Sequence, residues 1–224
     1  LLRSRGLGDV YKRQELTSLP VFARNRNYIL RLAKEINNFD FSFLGETSSD
    51  KIEEEKIKIY RKIINKTYKA NRTEPKPKLW EKLSKMVVEQ YSMKEAYAME
   101  TDDLVATYWY HLTKEIGRDN VMIVSLDKDY LQLPALIYNY HYMHQTIYDI
   151  SEQAALRNLY TQMIVGDIAD NVNYCKGYGI KYAQKLFINC KTEFQYQKKL
   201  LGLFKTIYKQ TAREKFIECY NLLC

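Results

Sequence analysis

Hydrophobic and polar positions along the chain follow two alternating patterns. In some segments apolar residues recur at helical spacing, which predicts amphipathic helices because residues three or four apart share one helix face. Between them lie short apolar runs bounded by turn residues, which predict buried strands. Because strand and helix signals alternate, the sequence favours an α/β fold with a mostly parallel sheet flanked by helices.

The two patterns place the elements along the chain. The helical pattern covers Ser18–Asn38, Lys51–Ala70, Leu79–Gln90, Asp102–Ile116, Glu152–Val165, Lys181–Ile188 and the tail Phe194–Cys224. The strand pattern covers Phe41–Leu44, Met93–Met99, Asn120–Ser125 and His141–Ile150. Asn120–Ser125 is a nearly continuous apolar run soon followed by acids, which is typical of a buried parallel strand.

Residues 1–14, LLRSRGLGDVYKRQ, fit nothing that follows. They resemble translated sequencing-adapter read-through, so we exclude them from the fold as a non-native segment. We therefore expect no native strand before Phe41, and we expect the natural N-terminus to be missing from this chain.

The charge balance indicates a class of partner. The chain of 224 residues carries 35 Lys and Arg against 27 Asp and Glu, a net charge of +8. A basic excess favours a polyanionic partner such as nucleic acid, although charge alone also fits a basic protein without one. No apolar run is long enough to span a membrane, and there is no signal-peptide pattern. We expect a cytoplasmic monomer that does not bind membranes.

Cysteine and histidine usage argues against two other classes of protein. The 4 cysteines form no CxxC pair and there are only 3 histidines. Neither a zinc site nor a disulfide scaffold is therefore expected, and reduced thiols are typical of an intracellular protein. Abundant Lys, Asn and Ile together with 20 Tyr suggest an AT-rich coding genome, which points towards a phage or virus.

Carboxylates cluster at three places along the chain. The clusters are Glu100, Asp102 and Asp103; Asp127 and Asp129; and Asp167 and Asp170. Each cluster also has an ordinary interpretation, as helix N-terminal acids, a polar turn and an Asx-rich loop respectively. Asp127 and Asp129 follow a buried strand, and ligand sites in open α/β sheets gather at the carboxyl ends of strands.

Taken together, these carboxylates predict a site for divalent cations. Bare anions crowded together repel each other, which raises their pKa values or destabilises the fold. Magnesium relieves this repulsion, since it prefers oxygen ligands and suits phosphate substrates. Two such ions about 4 Å apart would stabilise the attacking and leaving oxygens during phosphodiester cleavage.

Three motifs occur in the order and approximate spacing of the 5′-3′ exonuclease and flap endonuclease family: ETDDLVA, SLDKDYLQL and GDIADNVNYCKGYGIKYAQKLF. The chain resembles this family from about Tyr60 to Phe187. The resemblance implies a PIN-like α/β fold with a helical arch and a helix-three-turn-helix element that binds DNA. It also implies two divalent metal ions, Mg²⁺ or Mn²⁺, held by acids of the three clusters. By resemblance the better supported metal ligands are Glu100, Asp102, Asp127, Asp129 and Asp167, and the outer or second-site ligands are Asp103 and Asp170.

The motif YKANR (Tyr68–Arg72) resembles the base of the family's helical arch. There, Lys69 and Arg72 would contact the scissile phosphate as catalytic cations, because Arg binds phosphate bidentately and Lys acts as a point charge. Tyr68 would stack on a terminal base of the DNA. On the residues alone, the motif also fits a basic helix end.

The motif GYGIK resembles the hairpin of the helix-three-turn-helix. Gly177 and Gly179 would allow a tight turn and close approach of the backbone to a DNA phosphate, and Lys181 would add a charge. In the family this hairpin also binds a monovalent cation, typically K⁺, through backbone carbonyls. A plain helix–turn–helix connection is the alternative interpretation.

The sequence departs from the family pattern at three places. The family opens with a strand that carries an Asp in a DxN-like motif, and no such strand precedes Phe41. For the acid after the second strand, the segment FSFLGETSSD offers Glu46 or Asp50. Asn173 and Tyr174 replace the proline and the first glycine that precede the hairpin.

The sequence thus predicts three parts: residues 1–14 as non-native, residues 15–165 as a PIN-like nuclease domain, and residues 166–224 as the helix-three-turn-helix region with C-terminal helices. The predicted activity is that of a structure-specific 5′ nuclease acting on DNA flaps, duplex ends and primers. Three alternatives stay open. They are a DNA-binding fragment that does not cleave because the first Asp is absent, a PIN-type ribonuclease acting on RNA–DNA hybrids, and a structural protein whose acids are solvated turns.

Overall fold

The computed structural model describes residues 8–10, 41–42, 44–45, 60–75, 77–91, 94–95, 100–141, 143 and 145–224. The chain divides into two compact units. Unit 1 comprises residues 1–57 and 76–150, and unit 2 comprises residues 58–75 and 151–224. The predicted helix at Ser18–Asn38 and the candidate acids Glu46 and Asp50 lie outside the described residues.

The described residues of unit 1 form two sheets. The larger has the order β2-β1-β5-β6-β7 and consists of β1 (Gly8–Val10), β2 (Phe41–Ser42), β5 (Val121–Val124), β6 (Leu136–Asn139) and β7 (Thr146–Asp149). The smaller pairs β3 (Leu44–Gly45) with β4 (Lys94–Glu95) in parallel. In the larger sheet β5 and β6 are parallel, whereas β1 pairs antiparallel with β2 and β5, and β6 pairs antiparallel with β7.

The α/β class is confirmed, but the described sheet differs from the prediction in three details. It is mixed rather than mostly parallel. It contains a strand before Phe41, since Gly8–Val10 pairs along β5; backbone N–H and C=O groups make such pairs, so a short extended segment needs no hydrophobic pattern to join a sheet. It also contains β6, which the sequence pattern did not predict.

The described helices are α1 (Tyr60–Ile64), α2 (Trp80–Tyr91), α3 (Thr101–Ile116), α4 (Glu152–Val165), α5 (Ile180–Phe187), α6 (Glu193–Tyr208) and α7 (Ala212–Leu223). Most bounds agree with the predicted helices because caps are encoded locally. The side chain of Ser151 accepts a hydrogen bond from the backbone N–H of Ala154 and starts α4, and Gly117 ends α3 with a φ of 87°. Among the described residues, no helix has the length and apolarity that crossing a membrane requires.

The core of unit 1 positions the end of β5. All 4 residues of β5 are buried, and α3 packs against this strand with Val105 and Trp109 buried. A strand that is buried on both faces needs an apolar residue at every position, and this continuous apolar run is the pattern from which the strand was predicted. The chain therefore leaves the core at Ser125 and brings the following acids to the carboxyl end of β5.

Unit 2 is helical and has its own core. α4 packs against α5, α6 and α7, and α1 packs against α7. Aromatic rings dominate this core: Tyr160 stacks on Tyr196 at 5.3 Å between ring centroids, and Phe187 lies 5.0 Å from Tyr196. Residues 151–165, which the sequence analysis assigned to the nuclease domain, belong to this unit because α4 buries its apolar face here.

Candidate metal centre and nucleic-acid interface

Three aspartates of unit 1 come together at the carboxyl end of β5. Carboxylate oxygens of Asp102, Asp127 and Asp129 all lie within 4.8 Å of one another, and the three side chains are half-buried. Ligands on opposite sides of one ion are separated by twice the metal–oxygen distance, about 4–5 Å for Mg²⁺ or Ca²⁺. The cluster therefore fits the dimensions of a hard divalent cation.

Short hydrogen bonds hold this cluster in shape. Ser125 Oγ accepts from the backbone N–H of Asp127 at 3.0 Å, and Asp127 Oδ1 accepts from the backbone N–H of Asp129 at 3.0 Å. The hydroxyl of buried Tyr130 donates to Asp102 Oδ1 at 3.0 Å. Because the turn is fixed by its own side chains, the two aspartates that follow β5 are positioned before any ligand binds.

Glu100 and Asp103 serve the helix next to the cluster. They form a capping box, in which the Glu100 side chain accepts from the Asp103 backbone and Asp103 Oδ2 accepts from the Glu100 backbone N–H at 3.3 Å. This contact satisfies N–H groups at the start of α3, where negative charge is also stabilised by the helix dipole. Within the described part of unit 1 the three-aspartate cluster does not include these two acids, and their metal-binding role stays a prediction.

Asp167 organises the loop that follows α4 in unit 2. It is buried, and its Oδ1 accepts from the backbone N–H groups of Ala169 and Asp170 at 2.8 and 3.3 Å. Gly166 precedes it with a φ of 79°, and a Cβ atom at this position would overlap the carbonyl oxygen of Val172. The loop therefore closes tightly because of Gly166, and Asp167 turns its carboxylate onto the loop's own amides. Its predicted role as a metal ligand stays a prediction.

Asp170 binds the side chains of the YKANR motif. Arg72 Nη2 lies 2.6 Å from Asp170 Oδ1, and the Tyr68 hydroxyl donates to Oδ2 at 2.8 Å. Lys69 Nζ lies 3.7 Å from the same Oδ2. Sequence analysis placed Asp170 at a second metal and the two cations at a phosphate; the structure brings all three together within unit 2.

Backbone contacts join the same two segments independently of the Asp170 carboxylate. The backbone N–H of Lys69 donates to Asp170 O at 2.9 Å, and Lys69 adopts a left-handed φ of 56°. Asn71 Nδ2 donates to Ile168 O at 2.7 Å, and Asn171 Nδ2 donates to Thr67 O at 2.9 Å. The sequence pattern indicated neither asparagine, because their partners lie 97 and 104 positions away in the chain.

Tyr68 presents no exposed ring for a base to stack on. Its side chain is 2% exposed and belongs to the core of unit 2. Base stacking requires an accessible aromatic face, so this arrangement gives Tyr68 a packing role and an ordering contact to Asp170. Helical spacing could not have revealed this burial, because α1 ends at Ile64 and residues 66–71 form turns.

The predicted hairpin is open to solvent. Gly177 has a φ of 87°, and the backbone N–H of Tyr178 donates to Cys175 O at 3.0 Å to close the turn. Gly179 is extended and caps the start of α5, and a Cβ at either glycine would meet no atom within 4 Å. Lys181 is exposed in the first turn of α5. Such a surface permits close backbone approach, and its DNA-binding role stays a prediction.

The charge of the chain is concentrated in one unit. Unit 2 holds 17 Lys and Arg against 7 Asp and Glu, a net charge of +10, whereas unit 1 holds 18 against 20, a net charge of −2. The clustered aspartates lie in the unit with the acidic balance, and the YKANR and GYGIK motifs lie in the basic one. The charge balance would therefore attract a polyanion mainly to unit 2.

Comparison with protein families identifies the chain. The family described as 5′-3′ exonuclease, N-terminal resolvase-like domain matches residues 47–160, which is just over half of the sequence. The chain belongs to this family. The matched region of this 5′-3′ exonuclease-family protein contains Asp102, Asp127 and Asp129. A comparison with curated proteins gives no match.

Solved structures of bacteriophage T5 proteins share the fold of this 5′-3′ exonuclease-family chain. The T5 D15 protein co-crystallised with metal ions is 15% identical with a TM-score of 0.54, and the similarity covers 88% of this chain and 90% of that one. A T5 D15 flap endonuclease complex with DNA and metal ions is 13% identical, with a TM-score of 0.55 and coverage of 88% and 89%. A T5 5′-exonuclease with zinc is 14% identical, with a TM-score of 0.56 and the same coverage. At these identities the likeness shows the fold, which confirms the predicted PIN-like α/β architecture; the helix-three-turn-helix detail stays a prediction.

Proposed function

We propose that this 5′-3′ exonuclease-family protein is a structure-specific 5′ nuclease that hydrolyses DNA phosphodiesters with the help of divalent metal ions. The observation that carries the proposal is the cluster of three aspartates at the end of β5. Family membership supports it. The T5 D15 proteins, one crystallised with metal ions and another with DNA and metal ions, support it further.

Asp102, Asp127 and Asp129 would hold the metal. Mg²⁺ or Mn²⁺ is the expected ion, because carboxylate oxygens are the ligands that these hard cations prefer. When bound, two divalent ions supply Lewis acidity and a nucleophile from water of lowered pKa. The further candidate ligands are Glu100, Asp103, Asp167 and Asp170.

Lys69 and Arg72 would stabilise the negative charge that develops on the scissile phosphate. Asp170 holds both cations in place, so less side-chain freedom is lost when a phosphate binds. Arg72 donates to Ala169 O through Nε and to Asp170 Oδ1 through Nη2. It keeps 43% of its side chain exposed, so further N–H donors remain for a phosphate oxygen. Preorganised cations of this kind contribute more to catalysis than mobile ones, because they need no reorganisation during the reaction.

The hairpin at Gly177–Lys181 would hold the DNA duplex through phosphate contacts. Such contacts fix position without reading sequence, which suits an enzyme that recognises DNA ends and flaps by shape. By resemblance to the family, K⁺ would bind the hairpin carbonyls, in a loop where Asn173 and Tyr174 replace the proline and the first glycine of the family pattern. We expect the protein to act as a monomer.

A cleavage assay on a DNA substrate with a labelled 5′ flap tests the proposed function. We expect cleavage in Mg²⁺ or Mn²⁺, none in EDTA, and products that carry a 5′-phosphate. A matched RNA–DNA hybrid run alongside addresses the alternative substrate, and faster cleavage of the hybrid would reassign the enzyme to the ribonuclease class. Absence of cleavage of both substrates in either metal would contradict the proposal for this chain.

A further inference from the structure

One face of α6 in unit 2 is exposed, basic and free of acids. Lys198, Gly202 and Lys205 lie on this face at intervals of four and three residues, and Lys209 follows at the C-terminal cap. Residues at these intervals share one side of a helix. Gln195 and Thr206 are also exposed beside them. The opposite face packs into the core through Tyr196, Leu200, Leu203 and Phe204.

The neighbouring Lys199 has a different role, because its ammonium group contacts another part of the fold. Its Nζ donates to the carbonyl oxygen of Leu186 at 2.7 Å and is partly buried there. A cation at this position stabilises the carbonyl end of α5. Lys198, Lys205 and Lys209 are exposed instead, so α6 carries one lysine that stabilises the fold and two on its solvent side, with a third exposed lysine at its C-terminal cap.

Gly202 lies among these lysines without a packing reason. It occupies the middle of a helix of 16 residues, where glycine costs about 0.5–1 kcal/mol relative to alanine. A Cβ added at this position would meet no atom within 4 Å. Because the glycine has no side chain, the surface between Lys198 and Lys205 is recessed and leaves room for the backbone of a partner.

The dimensions of this face suit a nucleic acid strand. From Lys198 to Tyr208, its last residue, α6 advances roughly 15 Å at about 1.5 Å per residue, and Lys209 follows as its C-terminal cap. That length corresponds to about four phosphates of one strand of B-form DNA, spaced by about 3.4 Å along the duplex axis. Three cations over this distance, with no intervening acid, are complementary to a continuous phosphodiester backbone.

We propose that this face of α6, comprising Lys198, Gly202, Lys205 and Lys209, binds the phosphodiester backbone of duplex DNA. The inference rests on the proposed function, since it adds a duplex contact to the one expected at the hairpin. The net charge of +10 in unit 2 favours a polyanion over any other class of partner. The contact is independent of base sequence, because the lysine ammonium groups and the Gln195 side-chain amide would donate to phosphate oxygens rather than to bases.

A triple variant with Lys198→Gln, Lys205→Gln and Lys209→Gln tests the proposal. Binding to a 5′-flap DNA with a long duplex arm is followed by fluorescence anisotropy in EDTA at several salt concentrations. We expect the slope of log affinity against log salt to fall by about 0.9 for each lost phosphate contact. The matched control carries Lys82→Gln, Lys114→Gln and Arg157→Gln, which remove the same formal charge from exposed positions on α2, α3 and α4. We expect the control to keep the slope of the original chain.

Gly202 gives a second, independent arm of the test. Gly202→Ala should raise the free energy of unfolding in urea, because alanine is the better helix former. Gly202→Glu should also fold, since the added side chain meets open space, but it should weaken duplex binding by placing an anion between two lysines. An unchanged salt slope in the triple variant, or duplex binding by Gly202→Glu equal to that of the original chain, overturns the proposal.

The outcome can be separated from that of the proposed function. At saturating flap DNA the triple variant should cleave with an unchanged kcat and a raised KM. If the original chain does not cleave at all, the proposed function fails while the anisotropy result still decides the duplex contact. Phosphatidylserine vesicles are the probe for a competing anionic surface, and loss of vesicle binding without loss of DNA binding in the triple variant would contradict the proposal.

Discussion

Single residues around Asp170 show how one carboxylate can order two cations. Arg72 and Tyr68 contact its two oxygens at 2.6 and 2.8 Å, and Lys69 approaches at 3.7 Å. Lys69 also adopts a left-handed φ of 56°, which costs a non-glycine residue about 1–3 kcal/mol and persists only where surrounding contacts enforce it. The hydrogen bond from its backbone to Asp170 O is such a contact. Backbone strain of this kind clusters at functional sites, which makes Lys69 a residue to test for a catalytic role.

Lys69→Ala tests that role. The substitution removes the charge but keeps the same backbone cost, because alanine also has a Cβ. We expect the single-turnover cleavage rate to fall about 100-fold, as for other preorganised donors to a reacting oxyanion, while duplex affinity changes little. Lys66→Ala is the control, since Lys66 is an exposed lysine of the same segment. A proportional loss of affinity and rate would show that Lys69 only binds DNA.

The sequence predicted some residues of the candidate site and missed others. Asp127 and Asp129 were predictable because they directly follow a buried strand, and Asp102 because it begins a helix in a family motif. The partners of Asp170 were not predictable from the sequence, because Arg72 lies 98 positions away and only the tertiary fold brings it close. Tyr68 was assigned to base stacking because a motif does not show which side chains are buried.

Among the elements, the loop after α4 depends on one glycine. Gly166 has a φ of 79° and faces the carbonyl of Val172, while Asp167 and Val172 pair across the loop. The backbone hydrogen bonds between Asp167 and Val172 run in both directions, at 2.7 and 2.8 Å. Any side chain at Gly166 would have to displace this backbone, so the loop that presents Asp167 and Asp170 depends on it.

Gly166→Ala should lower the free energy of unfolding by about 1–3 kcal/mol, the cost of an unfavourable backbone conformation. Gly179→Ala is the matched control, because Gly179 has an ordinary extended backbone and open space at its Cβ position. Urea unfolding of both variants gives the measurement. Equal stability of the two variants would show that the loop adapts to a side chain at Gly166.

A polar network ties the segment before YKANR to α7. Asn65 Nδ2 donates to Glu218 Oε1 at 3.0 Å, the Tyr174 hydroxyl donates to the same oxygen at 2.6 Å, and Lys215 Nζ lies 2.7 Å from Oε2. Burial alone would raise the pKa of Glu218, but the hydrogen bonds from Lys215, Tyr174 and Asn65 together lower it below its ordinary value of 4.5. Ionised Glu218 therefore stabilises the folded state.

The lowered pKa predicts how stability depends on pH. A carboxyl group with a depressed folded-state pKa stabilises the protein above its unfolded pKa, and this contribution is lost as pH falls through the folded pKa. Glu218→Gln should lower the free energy of unfolding at pH 7 by about 1–3 kcal/mol and by much less at acid pH well below 4.5. Urea unfolding at both pH values checks this. A difference of the same size at both would contradict an ionised Glu218.

Element positions were more predictable than strand pairing. The sequence predicted α3 and α4 to within one residue at each end, because capping side chains and glycines mark helix ends locally. It did not predict β6, whose short apolar stretch Leu136–Asn139 follows a proline, or the antiparallel pairs of the larger sheet. Pairing direction depends on how distant segments meet, and a hydrophobic pattern carries no information about it.

The positive charge of the molecule and its candidate metal site lie in different units. Unit 2 has a net charge of +10 and unit 1 a net charge of −2, while the three-aspartate cluster lies in unit 1. Nonspecific DNA affinity comes mainly from cations that displace counterions, whereas hydrolysis needs the metal. DNA binding and DNA cleavage should therefore be separable by a change at a single metal ligand.

Asp127→Asn tests directly whether the aspartate cluster holds the catalytic metal. Asparagine keeps an oxygen that can accept from the backbone N–H of Asp129, so the turn should survive while the charged ligand is lost. The control is Asp119→Asn, since Asp119 is 78% exposed and lies outside the cluster. Mn²⁺ titration by calorimetry and flap cleavage are measured on the same preparations.

We expect Asp127→Asn to lose Mn²⁺ binding and flap cleavage together, by at least about 100-fold in rate, because a main source of charge stabilisation is removed. Flap DNA binding in EDTA should stay close to that of the original chain, and the Asp119→Asn control should keep all three properties. Unchanged cleavage and unchanged Mn²⁺ binding in Asp127→Asn would show that the aspartate cluster does not hold the catalytic metal.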